Sequence, residues 1–127
     1  MKKLTLALAA ALSLSTAQAA DYVIDSKGAH ASINFKIQHL GYSWLTGRFN
    51  DFKGTFSYDD TAPNAAKIMV TIDTDSIDSN HAERDKHLKS DDFLNVDDFP
   101  EATFVSTKIV DKGNGMMDVI GDFTLHG

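Results

Sequence analysis

The residues of this chain best suited to chemistry stand together in one short run, Asn80-His81-Ala82-Glu83-Arg84-Asp85-Lys86-His87-Leu88-Lys89. Two imidazoles, two carboxylates and a guanidinium could serve general acid–base catalysis or hold a divalent metal. The run has no strand alternation and is made of good helix formers. Asn80 with Glu83 three residues on reads as a capping box, so a helix over Asn80–Lys89 is predicted. On that helix His81 lies over Asp85 and Glu83 over His87, each at i, i+4. The two pairs point about 160° apart, since each residue turns the helix by about 100°, and they cannot converge on one ion without ligands from elsewhere. The His-x-Glu triplet is also found in zinc deaminases, but that chemistry takes cysteine ligands and this chain has no cysteine. Three readings stay open. The run is a solvated, self-paired helix surface, or a polar lid whose Arg84, Asp85 or His87 meets a ligand head group, or a metal site or metal-dependent enzyme built on His81, Glu83, Asp85 and His87.

Little else suggests catalysis. Gly41-Tyr42-Ser43-Trp44-Leu45 lacks the second glycine of a nucleophile elbow, and no phosphate loop or dinucleotide fingerprint occurs. No catalytic residue is assigned and no enzymatic activity is expected.

The elements around the polar run are β-strands. Asp21–Asp25 is a short strand closed by the turn residues Ser26-Lys27-Gly28. From Ala29 to Gln38 every odd position is apolar and every even one polar, the signature of a strand with one dry face. A glycine-rich, aromatic corner from Gly41 to Gly47 leads to a strand over Arg48–Asp59. There the apolar parity slips by one between Phe49 and Phe52, and a β-bulge at Asn50-Asp51 is predicted. Strands over Lys67–Asp75, Ala102–Val110 and Met117–Leu125 follow. The last two are joined through Asn114-Gly115, a strong hairpin signal. Five long strands, one short strand and one helix suit an up-and-down antiparallel meander, an all-β fold.

The dry faces of these strands carry Ile33, Phe35, Ile37, Trp44, Phe49, Phe52, Phe56, Ile68, Val70, Ile72, Phe104, Val119, Phe123 and Leu125. The helix is too polar to cover them, so they must face each other across a barrel or face a ligand. A fully packed interior, as in a purely structural module, is the competing reading. An apolar chain lying between these side chains would gain roughly 0.8 kcal/mol per buried CH₂. Tyr42 and Trp44, large amphipathic residues flanked by Gly41 and Gly47, suit the mouth of such a barrel or a plug at one end of its core. Five long strands fall short of the about eight that enclose one small ligand, and further strands are expected beyond Gly127.

Composition fits one exported domain. The chain of 127 residues is 43% apolar and 24% charged, as a globular domain is. Lys2 and Lys3, the apolar run Leu4–Leu14 and Ala17-Gln18-Ala19 have the order of a cleaved signal peptide over residues 1–19, leaving a domain over 20–127. The apolar run is shorter than the ~20 residues of a spanning helix. An envelope destination, the periplasm, is expected, and with no cysteine stability comes from the core alone. The net charge of −6, more negative once the leader's two lysines are gone, argues against nucleic acid and against electrostatic attraction to anionic lipid.

Two long runs, Phe35-Lys36-Ile37-Gln38-His39-Leu40-Gly41-Tyr42-Ser43-Trp44-Leu45 and Asn80-His81-Ala82-Glu83-Arg84-Asp85-Lys86-His87-Leu88, closely resemble the YceI-like family of exported polyisoprenoid-binding proteins. Gly54-Thr55-Phe56, Phe99-Pro100-Glu101-Ala102-Thr103-Phe104 and Gly121-Asp122-Phe123-Thr124-Leu125-His126-Gly127 support the resemblance. It implies a lipocalin-like antiparallel barrel, incomplete over these residues, with a helix near one end. It also implies an isoprenoid lipid, a polyprenyl chain or isoprenoid quinone, bound along the interior. The family pattern continues for several strands past the position of Gly127. Tyr42, Arg84, Asp85 and His87 are then the head-group candidates, and the dry-face residues line the lumen. No cofactor beyond the bound lipid, no nucleic acid, no integral membrane segment and no metal is expected, and a homodimer stays open.

Overall fold

The computed structural model describes residues 19–28 and 30–127. The leader lies outside the described residues, apart from Ala19. Among the described residues eight antiparallel strands and one α-helix make the fold: β1 (Ala20–Val23), β2 (Ile33–His39), β3 (Ser43–Phe49), β4 (Phe52–Tyr58), β5 (Lys67–Asp73), β6 (Ile77–Asp78), α1 (Ala82–Lys89), β7 (Glu101–Gly113) and β8 (Met116–Thr124). They form two sheets, a five-stranded one in the order β1-β4-β5-β7-β8 and a three-stranded one in the order β2-β3-β6. The sheets do not close into a barrel over the described residues. No described helix is long and apolar enough to cross a membrane.

Three expectations change. The corner over Gly41–Gly47 is mostly strand. The turn is confined to Leu40-Gly41-Tyr42, where the Tyr42 N–H donates to the His39 carbonyl at 3.3 Å, and β3 pairs with β2 along its whole length. The parity slip at Asn50-Asp51 is not a bulge within one strand. Phe49 ends β3 in the small sheet and Phe52 begins β4 in the large one. The chain passes from the large sheet back to the small one at Thr74–Ser76, and this crossing is bonded side by side with the one at Asn50-Asp51. The Asn50 N–H donates to the Ser76 carbonyl at 3.0 Å, and the Asp73 N–H to the Asp51 carbonyl at 2.9 Å. The order is not a pure meander either, because β1 pairs with β4, setting Tyr22 opposite Phe56.

Register explains the apolar pattern. Across the large sheet Phe52 faces Ile72 and Ile72 faces Ala102, while Val70 faces Phe104 and Phe104 faces Phe123. These residues therefore share one face, and Ile72, Ala102 and Gly54 on it are buried. A register shift between Ser106 and Lys108 then moves the buried position on β7 to Ile109, opposite Val119, so this residue escapes a simple alternation.

The β7–β8 hairpin turns as expected through Asn114-Gly115, with φ of 55° and 73°. A two-residue turn of this hand needs positive φ at both positions. Asn114→Val is expected to cost about 1–2 kcal/mol, the penalty of a left-handed backbone for a β-branched residue. Urea denaturation reads it, and an unchanged midpoint would contradict the turn.

Candidate ligand-binding cleft

The inner face of the small sheet and helix α1 enclose an open cleft of about 860 Å³. Phe35 and Ile37 from β2, Leu45 and Phe49 from β3, Ile77 from β6 and Leu88 from α1 contribute to its wall, with Phe93, Leu94 and Leu125. Phe35 and Phe49 meet at 5.8 Å between ring centroids. Phe35 lies flat on the sheet because the residue opposite it is Gly47; a Cβ there would collide with the ring. A flat ring leaves the space above the sheet open. Ile33 sits on the same face, opposite Phe49.

A second open cleft, of about 830 Å³, lies against the large sheet, lined by Tyr22, Phe56, Ile68, Ser106 and Ile109 among others. Tyr22 and Phe56 stack there at 4.8 Å and 12°. Phe52, Val70, Ile72, Phe104, Val119 and Phe123 share the sheet face of Phe56 and Ile68.

Trp44 departs from its expected lumen position. Ser43, Leu45, Gly47 and Phe49 alternate onto the more buried side of β3, so Trp44 stands on the other face. It still borders the cleft and carries the Lys36 ammonium 4.4 Å above its ring. The residue in the expected place is Leu45, which the odd parity running back from Phe49 could have shown.

The polar run is organised around Ser79, a buried residue at 4% exposure. Asp85 Oδ1 accepts from the Ser79 N–H at 2.9 Å and from its hydroxyl at 2.5 Å. Arg84 donates through Nε to Ser79 Oγ at 2.7 Å and through Nη2 to the Ser79 carbonyl at 2.5 Å. Arg84 and Asp85 thus clasp the chain at the end of β6. The helix begins one residue later than the capping-box reading places it. Its N-cap is His81, whose Nδ1 accepts from the Arg84 N–H at 3.2 Å, and Asn80 takes a left-handed backbone with φ of 62°. The Asp78 carboxyl is held below the ordinary carboxylate range, chiefly by the Asn80 backbone N–H and then by the Asn50 side chain.

His87 turns away from Glu83 and meets Asp92, Nε2 to Oδ2 at 3.1 Å, with its ring edge-on to Phe93 at 4.9 Å. His81, Asp85 and His87 are thus committed in different directions. Among the described residues no three His, Asp or Glu side chains gather closely enough to hold a metal. Of the head-group candidates, Arg84 and His87 reach the cleft, and Asp85 does not. Tyr42 projects from the β2–β3 turn, 80% exposed.

Residues 22–127 match the model of the YceI-like domain. The chain belongs to the YceI-like family. A UPF0312 protein of Vibrio parahaemolyticus is 64% identical over 122 residues, spanning 96% of this chain and 64% of the relative. A UPF0312 protein of a Shewanella species is 66% identical over 111 residues, 87% of this chain and 58% of the relative. The chain thus spans about three fifths of the length of these YceI-like relatives. Among solved structures, the YceI protein of Campylobacter jejuni is 29% identical with a TM-score of 0.62, covering all of this chain and 63% of its own. Burkholderia cenocepacia BcnA, 23% identical, shares the fold with a TM-score of 0.70 over 76% of this chain and 60% of its own. A polyisoprenoid binding domain from Saccharophagus degradans, 15% identical, superimposes with a TM-score of 0.54 over 84% of this chain and 66% of its own. The YceI-like fold here is all-β and antiparallel with one helix, as the sequence led us to expect.

Proposed function

We propose that the protein binds isoprenoid lipids, a polyprenyl chain or an isoprenoid quinone, as an exported periplasmic carrier rather than an enzyme. The observation that carries this is the cleft under the small sheet, walled by Phe35, Leu45, Phe49, Leu88 and Phe93. Its volume of about 860 Å³ lies within the range of ligand sites, which are mostly apolar with a few polar groups that fix orientation. Arg84 and His87 border the cleft, and in this reading a quinone or phosphate head meets His87 and the part of the Arg84 guanidinium not bonded to Ser79 while the tail lies on the aromatic wall. The fold shared with the polyisoprenoid binding domain from Saccharophagus degradans supports the reading. The signal-peptide pattern of the first residues supports export.

Titration with isoprenoid quinone followed by native mass spectrometry tests it. The expected result is a one-to-one adduct that a short-chain quinone analogue forms far more weakly, since each lost CH₂ removes roughly 0.8 kcal/mol of burial. Equal binding of long- and short-tailed quinones would refute tail burial, and no adduct would refute the carrier.

A further inference from the structure

The end of the β2–β3 hairpin is apolar and little covered by the other described residues. Leu40 and Tyr42 at the turn are 72% and 80% exposed, and Ile37 and Trp44 just behind them are 57% and 59% exposed. Ile37 lies on the inner face of the hairpin and Trp44 on the outer one, so the end is apolar on both sides. A strand that only walls a core needs one apolar side. Leu40 and Gly41 hold left-handed backbones with φ of 53° and 79°, the pair that a tight hairpin turn takes, and this sets the Leu40 side chain at the very end of the hairpin.

The charge around this end is equally unusual. The chain carries 18 acidic residues against 12 basic ones, yet none of the acids falls between Asp25 and Asp51. Of the bases in that stretch, Lys36 stands near the tip with its ammonium over Trp44, whereas Arg48, at the other end of β3, faces Asp78 at 3.9 Å. Tryptophan and tyrosine prefer the water–lipid boundary, leucine enters the acyl region, and nearby cations meet phosphates. Ile37, Trp44 and Phe93 also border the cleft, so the hairpin end stands beside its mouth.

We propose that the Ile37–Trp44 hairpin end is a docking tip that inserts into a lipid bilayer surface. The overall negative charge opposes attraction of the molecule as a whole, but the acid-free hairpin lets it approach tip first, with apolar insertion as the driving force. The role goes beyond ligand binding and does not require it.

Trp44 is the single tryptophan of the chain, so its fluorescence reports the tip alone. The purified protein is mixed with phosphatidylcholine vesicles that contain no isoprenoid. The expected result is a shift of Trp44 emission to shorter wavelength and quenching by lipids brominated in the acyl chain. The double variant Leu40→Ser/Tyr42→Ser should weaken this response about tenfold or more, given the apolar area withdrawn. Ile120→Ser, on the outer face of the large sheet, should leave it unchanged. An unmoved Trp44 spectrum, or an equal loss from Ile120→Ser, overturns the proposal. So does a shift that follows protein concentration without vesicles, which would mark the tip as a contact between two copies. Because the vesicles carry no isoprenoid, failure here leaves the carrier reading standing, and failure of the carrier leaves this result standing.

Discussion

Asp85→Ala is expected to destabilise the protein by about 2–4 kcal/mol, the cost of stranding buried donors that had bonded a charged acceptor. The Ser79 backbone N–H and hydroxyl both donate to Asp85 Oδ1, and Ser79 is nearly sealed from water. Alanine leaves both donors without their acceptor in a place water cannot easily reach. Asp85→Asn keeps an oxygen in position and should recover most of the loss, because a neutral acceptor still satisfies the donors. Urea denaturation of the two variants side by side reads the difference. Should alanine be as stable as the parent, the clasp that fixes α1 to the end of β6 has no energetic weight, and the helix is not held over the cleft by it.

The second large effect is on the ligand. Leu45→Asp is expected to weaken isoprenoid binding by about 100-fold or more, because a carboxylate on an apolar wall must either be desolvated by the tail or hold water in its place. Ile120→Asp adds the same charge on the exposed outer face of the large sheet and should leave binding intact. Isothermal titration with an isoprenoid quinone compares them. Equal affinity for parent and Leu45→Asp would move the tail out of this cleft, and the wall around Tyr22 and Phe56 would become the place to test next.

Both predictions rest on features that were only partly legible in the chain. The polar run was visible as a helix, and its exposed character follows from having almost no apolar residue. Its inner logic was not visible. Arg84 and Asp85 looked like reagents free to meet a head group, because nothing local shows that Ser79, several residues upstream, folds back between them. Trp44 counted among the dry-face residues, while its size and its place between glycines suited a barrel mouth or a plug. Alternation counted back from Phe49 assigns Leu45 instead, once β3 is known to start at Ser43. The break at Asn50-Asp51 could be detected as a slip in parity, but a bulge and a change of sheet leave the same mark in one strand. Only the pairing of Asn50 and Asp51 with Ser76 separates them.

What the sequence determined by itself was the all-β character, the hairpin at Asn114-Gly115, the place of the helix and the family resemblance. These rest on short-range periodicity, on turn residues with positive φ and on long runs of residue types, all written along the chain. What tertiary structure alone decided was which strands share a sheet, that β1 pairs with β4, which face of β3 looks into the cleft, and how Ser79 binds Arg84 to Asp85. Those depend on contacts between residues distant in sequence, whose free energy is set by packing and by the pairing of buried polar groups.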